Sequence, residues 1–334
     1  MKHTGMTILM VIFVGFLSAQ NIHVHEQYVF DRYLLNPAFC GLGEGTNIKL
    51  THRQQWVGFE NSPKTSFLSL TSRPAGQPMG LGAYVYNDMN GPNQRIGAQF
   101  TFAYHLLLRS RRYDQTILSM ALSFNGQYHI LDESGFDRDM FDPIITYTRL
   151  SSFLPDFNAG AVLTHTNMMV GFSADHLIPG YDKIYNRELE EALPMVMNMH
   201  AAYIVNLQYN FKLKPLLNVR TDMKGHTQME LMARVSYGYG KRIQSVVMRY
   251  PNEFYVGFCY RHTLDYTNSA PLSFQPFFGV KVGAFTFSYM FDMGLTAIQL
   301  NNYGSHQISI GLFFVGDKTM NVGRNKIPIN NNDF

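Results

Sequence analysis

Residues 96–108 read IGAQFTFAYHLLL and alternate two kinds of side chain. The odd-numbered positions are mostly small or polar. The even-numbered positions are apolar or aromatic, namely Ile96, Ala98, Phe100, Phe102, Tyr104, Leu106 and Leu108. Because successive side chains of a β-strand point to opposite faces, the stretch predicts a strand with one oily face. Such a face packs on a second sheet in a water-soluble sandwich, or meets lipid in an outer-membrane barrel.

The same alternation recurs along the chain. It is clearest in residues 117–130, 201–213, 284–291 and 306–314. In these segments the face opposite the oily one holds mainly Gly, Ser, Thr, Asn and Gln. The period of two, together with the aromatic and β-branched residues, predicts strands in all four segments.

The composition bears on the choice between the two architectures. A soluble sandwich would expose strand faces rich in Lys, Glu, Asp and Arg, whereas only 15% of the 334 residues are charged. We therefore predict an all-β fold, a transmembrane antiparallel up-and-down β-barrel of about 14 strands, with about 16 as the alternative. The net charge of +3 gives no basic stripe for nucleic acid.

The two ends of the chain differ from the alternating region. Residues 1–19 have a basic start, an apolar run and small residues at the end, the layout of a signal peptide cleaved after Ala19. We expect residues 20–45 to lie at the periplasmic mouth or inside the lumen as a plug. Residues 46–315 would form the barrel, and residues 316–334 a periplasmic tail.

Two of the predicted connections between strands are long. Residues 131–156 and 178–199 are predicted to be long connections, each with room for a short helix. The strand count is ambiguous within residues 215–262, where one segment is open to misassignment.

No catalytic, cofactor-binding or metal site is predicted. Ser173, Asp175 and His176 are the residue types of a hydrolase triad, but neighbours on a strand face opposite sides. Cys40 and Cys259 are too far apart for a CxxC motif and are either two unpaired thiols or one disulfide.

An acidic cluster follows residue 131. It lacks the spacing and the closing Glu of a calcium-binding EF-hand, so we favour a solvated outer loop. Its members are Asp132, Glu133, Asp137, Asp139 and Asp142.

Several short motifs, in order, resemble the PorP/SprF family, outer-membrane proteins of type IX secretion and gliding systems. They are YLLNPAFCG (33–41), LTHRQQWVGF (50–59), GLGAYVYNDMNGP (80–92), PDFNAGAVL (155–163), VGFSADHL (170–177), FYVGFCYR (254–261) and YGSHQISIGLFF (303–314). The chain departs from the family pattern at Cys40, where a small residue is commoner, and at Gln307, where an acidic residue often stands.

The motif residues have plausible structural roles. Asn36 and Pro37 would fix a turn, and Trp56 suits the interface belt at the end of the first strand. The residues that carry the likeness are Asn36, Pro37, Gly41, Arg53, Gln55, Trp56, Gly80, Asn87, Asp88, Gly304, Ser305 and His306.

The resemblance implies a non-enzymatic, monomeric barrel without a cofactor, seated in outer-membrane lipid. Such proteins assist export or surface attachment of adhesins that carry a type B C-terminal signal. They are linked to a periplasmic peptidoglycan-binding OmpA-like protein and to other type IX components. The alternative is an outer-membrane diffusion pore or a hydrophobic-solute transporter.

Aromatic residues in the predicted loops are candidate partner contacts by residue type, although seating at the membrane interface explains them equally well. They are Phe136, Phe141, Tyr147 and Phe153.

Overall fold

The alternating stretch lies within one long strand, Asn93–Arg111, in a computed structural model of the chain. Fourteen such strands pair antiparallel with their neighbours and form a closed barrel, so the predicted fold class and strand number are confirmed. The structure describes residues 26–43, 45–74, 77–111, 114–136, 145–178, 180–184, 193–208, 210–222, 224–239, 252–265, 268–296 and 302–314.

The strands follow one another around the barrel in chain order. They are β1 Gly45–Gln54, β2 Lys64–Arg73, β3 Met79–Asn90, β4 Asn93–Arg111, β5 Asp114–Asp132, β6 Arg149–His165, β7 Met168–Asp175, β8 Val196–Tyr203 continued by Val205–Asn206, β9 Phe211–Asp222, β10 Thr227–Tyr239, β11 Asn252–Asp265, β12 Asn268–Val282, β13 Phe285–Gly294 and β14 Ser305–Phe314.

Two pairings settle the count and the closure. Both parts of β8 pair with β9, since Ala202 lies opposite Leu216 and Val205 opposite Leu213, so the interruption at Ile204 does not create another strand. The first strand pairs with the last over its whole length. Every strand therefore has two partners, and no sheet edge remains open.

The two faces of the barrel wall differ as the alternation predicts. Phe100 on the outer face is 64% exposed, whereas its neighbour Gln99 on the inner face is 2% exposed. The outer faces of the other strands carry large apolar side chains in the same way. This is the arrangement of a barrel with lipid outside and a polar lumen.

The structure contains little helix. None of the described helices has the length and apolar character needed to cross a bilayer. From residue 26 to the first strand the chain forms three short 3-10 helices, at Glu26–Val29, Arg32–Leu34 and Pro37–Phe39.

The two ends of the barrel have different connections. One end, here called the turn end, carries tight turns such as 166–167 and 283–284, together with the longer connection 240–251. The opposite end, here called the loop end, carries the long connections 133–148 and 176–195. Outer-membrane barrels place short turns in the periplasm and long loops outside the cell.

Residues 28–42 fill part of the lumen, and we call them the plug. Tyr33, Leu35 and Cys40 are buried in one cluster with inward side chains of the wall, such as Phe67 and Ala103. Of the two places expected for the N-terminal segment, the described part occupies the lumen.

Asn36 attaches the plug to the wall through polar contacts. Its side-chain Nδ2 donates to the carbonyl oxygens of Ala161 at 3.2 Å and Phe172 at 2.9 Å, on β6 and β7. Its Oδ1 accepts from the backbone N–H of Ala38 at 2.9 Å and so caps the last 3-10 helix. The amide is fully buried, and both its nitrogen, through two donated bonds, and its oxygen are hydrogen-bonded.

A close backbone approach holds the other end of the plug. A Cβ atom on Gly80 would lie 2.1 Å from the carbonyl oxygen of Cys40. Gly41 has a φ of +66°, and a Cβ there would lie 2.6 Å from the Cα of Gly80. Both positions therefore require glycine.

Two predicted segments have different bounds in the structure. Residues 201–213 are not one strand, because the chain turns after Asn206 and Leu207 N donates to Phe211 O at 2.9 Å. The connection predicted at 131–156 is shorter, because β6 begins at Arg149.

The helices allowed for the two long connections would fall on residues 137–144 and 185–192, outside the described residues, as do residues 1–25 and 315–334. Cys40 and Cys259 are both buried and are not joined by a disulfide, so the disulfide alternative is wrong in this structure.

Substituting Gly80→Ala should loosen the plug without opening the barrel, because the new methyl group would clash with the backbone of Cys40. In a Cys259→Ala background, maleimide labelling of Cys40 should become about tenfold faster, the effect of about 1.4 kcal/mol on plug opening. Gly135→Ala is the matched control, since a Cβ there meets open space. Heat modifiability on gels would verify that the barrel is folded. Unchanged labelling of the Gly80 variant would contradict the close approach.

Candidate functional site

Two loops meet at the loop end and form what we call the clasp, residues 56–58 together with 303–305. Val57 N donates to Gly304 O at 2.9 Å, and Tyr303 N donates to Val57 O at 2.8 Å. Trp56 N donates to the Oγ of Ser305 at 3.2 Å. These bonds join the β1–β2 connection to the β13–β14 connection across the rim.

The clasp backbone is strained at one bulky residue. Trp56 has a φ of +47°, a conformation that large side chains rarely adopt. Such a conformation persists only where surrounding contacts enforce it, and it occurs often at functional positions. Trp56 is thus a candidate functional residue on geometric grounds.

A buried ion pair lies directly below the clasp. Arg53 on β1 donates through Nη2 to the Oδ2 of Asp292 on β13 at 2.6 Å, across the intervening strand β14. With the side-chain amide turned to its hydrogen-bonding orientation, Gln55 accepts from Arg53 as well. Removing one partner of such a pair leaves a buried charge, which costs about 3–5 kcal/mol.

Three aromatic side chains project from the clasp region, and we call them the aromatic rim: Trp56, Phe59 and Tyr303. All three are exposed, and Tyr303 is 77% exposed. The ring of Tyr303 covers Gly58, where a Cβ would lie 2.9 Å from the ring. The rim is an exposed aromatic surface on a hydrogen-bonded support.

The plug separates two cavities in the lumen. The upper cavity opens toward the loop end and has Tyr33, Leu34 and Pro37 of the plug in its lining. The lower cavity lies near Gly45 and Phe313 at the turn end. Tyr33 lines both cavities, is buried, and its hydroxyl is 2.6 Å from the Oγ1 of Thr101. The plug therefore closes the described part of the lumen at this level.

The wall of the upper cavity has an aromatic side and a charged side. The rings of Phe67 and Tyr86 stack with their centroids 5.2 Å apart, and Tyr84 lies beside both. Asp175 and Arg220 belong to the charged side. Aromatic faces beside a few polar groups are typical of ligand sites.

His176 is paired at the loop end of this wall. Its Nδ1 lies 2.7 Å from the Oδ2 of Asp156, and its backbone N donates to Asn158 Oδ1 at 3.1 Å. Burial lowers the pKa of His176, but the hydrogen bond and charge of Asp156, with the charge of Asp175, outweigh burial and raise that pKa above 6.5. The imidazolium is therefore favoured at this position.

Comparison with known proteins agrees with the geometry. The family model described as "Type IX secretion system membrane protein PorP/SprF" matches residues 17–312. The chain belongs to the PorP/SprF family. Its closed barrel, the oily outer face and this membership place the protein in the outer membrane, as a component related to type IX secretion. No curated protein matches the chain.

Solved structures resemble the chain only in fold. The Acinetobacter baumannii outer membrane protein Omp33 is 10% identical, with 83% of this chain and 100% of that chain covered and a TM-score of 0.41. A Pseudomonas aeruginosa FadL homologue is 11% identical, with 83% and 91% covered and a TM-score of 0.43. Similarity at this level does not extend to function.

The PorP/SprF motif residues fall into separate groups in the fold. Asn36, Pro37, Gly41 and Gly80 lie at two separate contacts between plug and wall, the first two against β6 and β7 and the last two where the plug meets β3. A second group surrounds the clasp at the loop end. It comprises Arg53, Gln55, Trp56, Gly304, Ser305 and His306.

Two motif residues lie apart from both groups. Asn87 accepts from Gln94 Nε2 at 2.9 Å, and Asp88 accepts from Thr65 Oγ1 at 2.6 Å, at the loop end of β3. Asp88 also lines the upper cavity. His306, within the clasp group, has its Nδ1 2.7 Å from the hydroxyl of Tyr289.

The candidate partner contacts lie in different settings. Phe136 is exposed in a loop-end connection, and Tyr147 lies in the same connection. Phe153 is not in a loop but on the outer face of β6, 6.1 Å from the ring of Tyr128, which fits membrane seating. Phe141 lies outside the described residues. The sequence did not single out Phe59 and Tyr303. Tyr303 lies near Trp56 only because two connections far apart in sequence meet in the fold.

Ser173 and His176, two residue types of a hydrolase triad, are hydrogen-bonded to different partners. The hydroxyl of Ser173 donates to Leu35 O at 3.1 Å, whereas His176 pairs with Asp156. In the acidic cluster, Glu133 accepts from Thr146, and residues 137–144 lie outside the described part. Within the described ranges no three His, Cys, Asp or Glu side chains are grouped to hold a metal ion.

Replacing Asp156→Asn should lower the pKa of His176 below 6.5, because burial then becomes the dominant influence. In the parent protein the pair stabilises the loop end below about pH 6.5, and this contribution is lost as pH rises through the raised pKa. NMR titration of the His176 imidazole measures this pKa in the parent protein and in Asp156→Asn. The resonance is assigned by its loss in the His176→Gln variant. Asp132→Asn removes a carboxylate elsewhere and should leave the titration unchanged. An equal pKa in parent and Asp156→Asn would disprove the pairing.

Proposed function

We propose that the protein is a binding component of the type IX secretion system that assists export or surface attachment of adhesins with a type B C-terminal signal. One observation carries the proposal. The lumen is occupied by the chain's own plug, whereas the loop end presents an aromatic rim on a clasp built from family motif residues. Binding at the rim, without turnover, is the activity that this arrangement supports best.

The physical properties of the rim suit a protein partner. Exposed aromatic patches on soluble surfaces mark interaction sites, and Trp and Tyr are enriched among residues that dominate binding energy. The hydrogen bonds of the clasp hold Trp56 and Tyr303 in place, so little conformational entropy is lost on binding. Phe136 and Tyr147, from another loop-end connection, remain further candidate contacts.

The periplasmic partners belong, in this proposal, at the opposite end. Strands β10 and β14 both end at the turn end, at Tyr239 and Phe314. A peptidoglycan-binding OmpA-like protein and other type IX components would meet the protein there. The two partner classes would thus bind at opposite faces of the membrane.

The double variant Phe59→Ala/Tyr303→Ala should weaken binding of the adhesin C-terminal domain about 30-fold, the effect of about 2 kcal/mol at an aromatic contact. If a gene beside this one encodes an adhesin with such a signal, that adhesin is the cargo to use. Affinity is measured with the purified domain and the detergent-solubilised barrel, and surface retention of the adhesin in cells. Phe285→Ala, an exposed aromatic at the turn end, is the matched control. Loss of affinity in the control alone would move the cargo site to the turn end.

The two cavities favour solute transport as a second candidate function, because removal of the plug would connect them. We expect the full chain to show no steady channels in planar bilayers. Deletion of residues 28–42 should produce large steady conductance, since the plug side chains fill the space between the cavities. Steady large channels in the full chain would favour a pore over an anchoring role.

A further inference from the structure

The charged side of the upper cavity contains a buried cation whose hydrogen bonding is incomplete. Arg220 on β9 is 4% exposed and points into the lumen. Its Nε donates to Asn198 Oδ1 at 2.7 Å. Its Nη1 is buried and has no hydrogen-bond partner among the described residues.

Asn198 fixes the direction of this guanidinium. Its Nδ2 donates to Asp175 Oδ2 at 3.0 Å and to Ser173 Oγ at 3.2 Å. The Asn198 amide therefore bonds to Asp175 through its nitrogen and to Arg220 through its oxygen. As a result, the Asp175 carboxylate accepts from this amide rather than from the Arg220 guanidinium. No described carboxylate lies within 4.0 Å of Arg220.

A buried charged donor without a partner is unfavourable, and native structures fill such positions with a partner, water or ligand. Arginine donors suit carboxylate and phosphate groups in particular. Asp88 and Asp175 line the cavity together with the cationic groups of Arg95 and His176, so the charges beside Arg220 nearly balance and a monoanion fits this lining better than a dianion. A carboxylate is therefore the better match for Nη1.

The rest of the cavity indicates what the carboxylate is attached to. Phe67, Tyr84 and Tyr86 form an aromatic wall of the same cavity, and Leu34 and Pro37 add apolar surface from the plug. An aromatic ring stacks favourably on such a wall. Because the plug closes the lumen below, the ligand reaches the cavity from the loop end.

We propose that the upper cavity binds an aromatic carboxylate, with its anionic group on Arg220 and its ring against Tyr84 and Tyr86. The ligand is either the terminal aromatic residue of a peptide or a small free aromatic acid, since both present the same chemistry. This site is distinct from the aromatic rim and does not depend on the proposed function.

Calorimetric titration of the full chain in detergent tests the proposal with N-acetylphenylalanine as the probe. We expect saturable binding, and at least about tenfold weaker binding of N-acetylphenylalaninamide, which lacks the charge. Phenyl phosphate should also bind more weakly, because it is a dianion. Equal binding of the amide, or no binding of the acid, would overturn the assignment, the second result meaning that water alone satisfies Arg220.

Variants locate the site. Arg220→Gln should reduce affinity for the acid at least about tenfold and leave the weak binding of the amide unchanged. Arg149→Gln, an exposed arginine at the loop end of β6, is the matched control. Tyr86→Leu leaves Arg220 intact and should weaken both probes, which keeps the test decisive if the Arg220 variant does not fold. Acid binding that survives both Arg220→Gln and Tyr86→Leu would place the ligand elsewhere.

Probes of different length distinguish a peptide terminus from a small free aromatic acid as the natural ligand. A pentapeptide ending in phenylalanine should bind more tightly than phenylpropionate if a chain terminus is recognised. Equal affinities would identify the free acid as the ligand. Amidation of the pentapeptide should abolish its advantage in the first case.

Discussion

Contact with hydrocarbon is the constraint on which the structure depends. A backbone N–H or C=O group in lipid has no water to bond, so each must pair within the protein. The pairing of β1 with β14 meets this requirement for the two strands that would otherwise be edges. A ring of fourteen strands, however, encloses more space than its own inward side chains fill. Closing the barrel in lipid therefore creates a second requirement, because other groups must fill the space left in the lumen.

The plug meets that second requirement with polar as well as apolar contacts. Lumen-facing positions are mostly small and polar, so the plug cannot be held by apolar packing alone. Asn36 bonds to two wall carbonyls, and Gly80 allows the wall backbone to approach Cys40. The result is a barrel whose two mouths are separate chemical environments. One mouth carries the aromatic rim and a charged cavity, and the other is where β1 begins and β14 ends.

The fold was largely predictable from sequence because lipid imposes a period of two on each strand. The same period misled at residues 201–213, where Leu207 and Phe211 continue the alternation through a tight turn. At the start of β6 the alternation of polar and apolar residues is weak. The sequence therefore did not indicate that this strand begins at Arg149. The site was predictable only in part. Trp56 and Ser305 stood out within motifs, but their hydrogen bond, the position of Tyr303 and the environment of Arg220 depend on strands far apart in sequence.

The location of the plug in the chain has a consequence for biogenesis. Residue 43 is followed within two positions by β1, and β1 forms the seam of the barrel with β14. The last strand to be synthesised is therefore the one that seals the cylinder. A segment tethered beside that seam can enter the interior before β1 and β14 pair, so this order of assembly would not require a finished barrel to reopen.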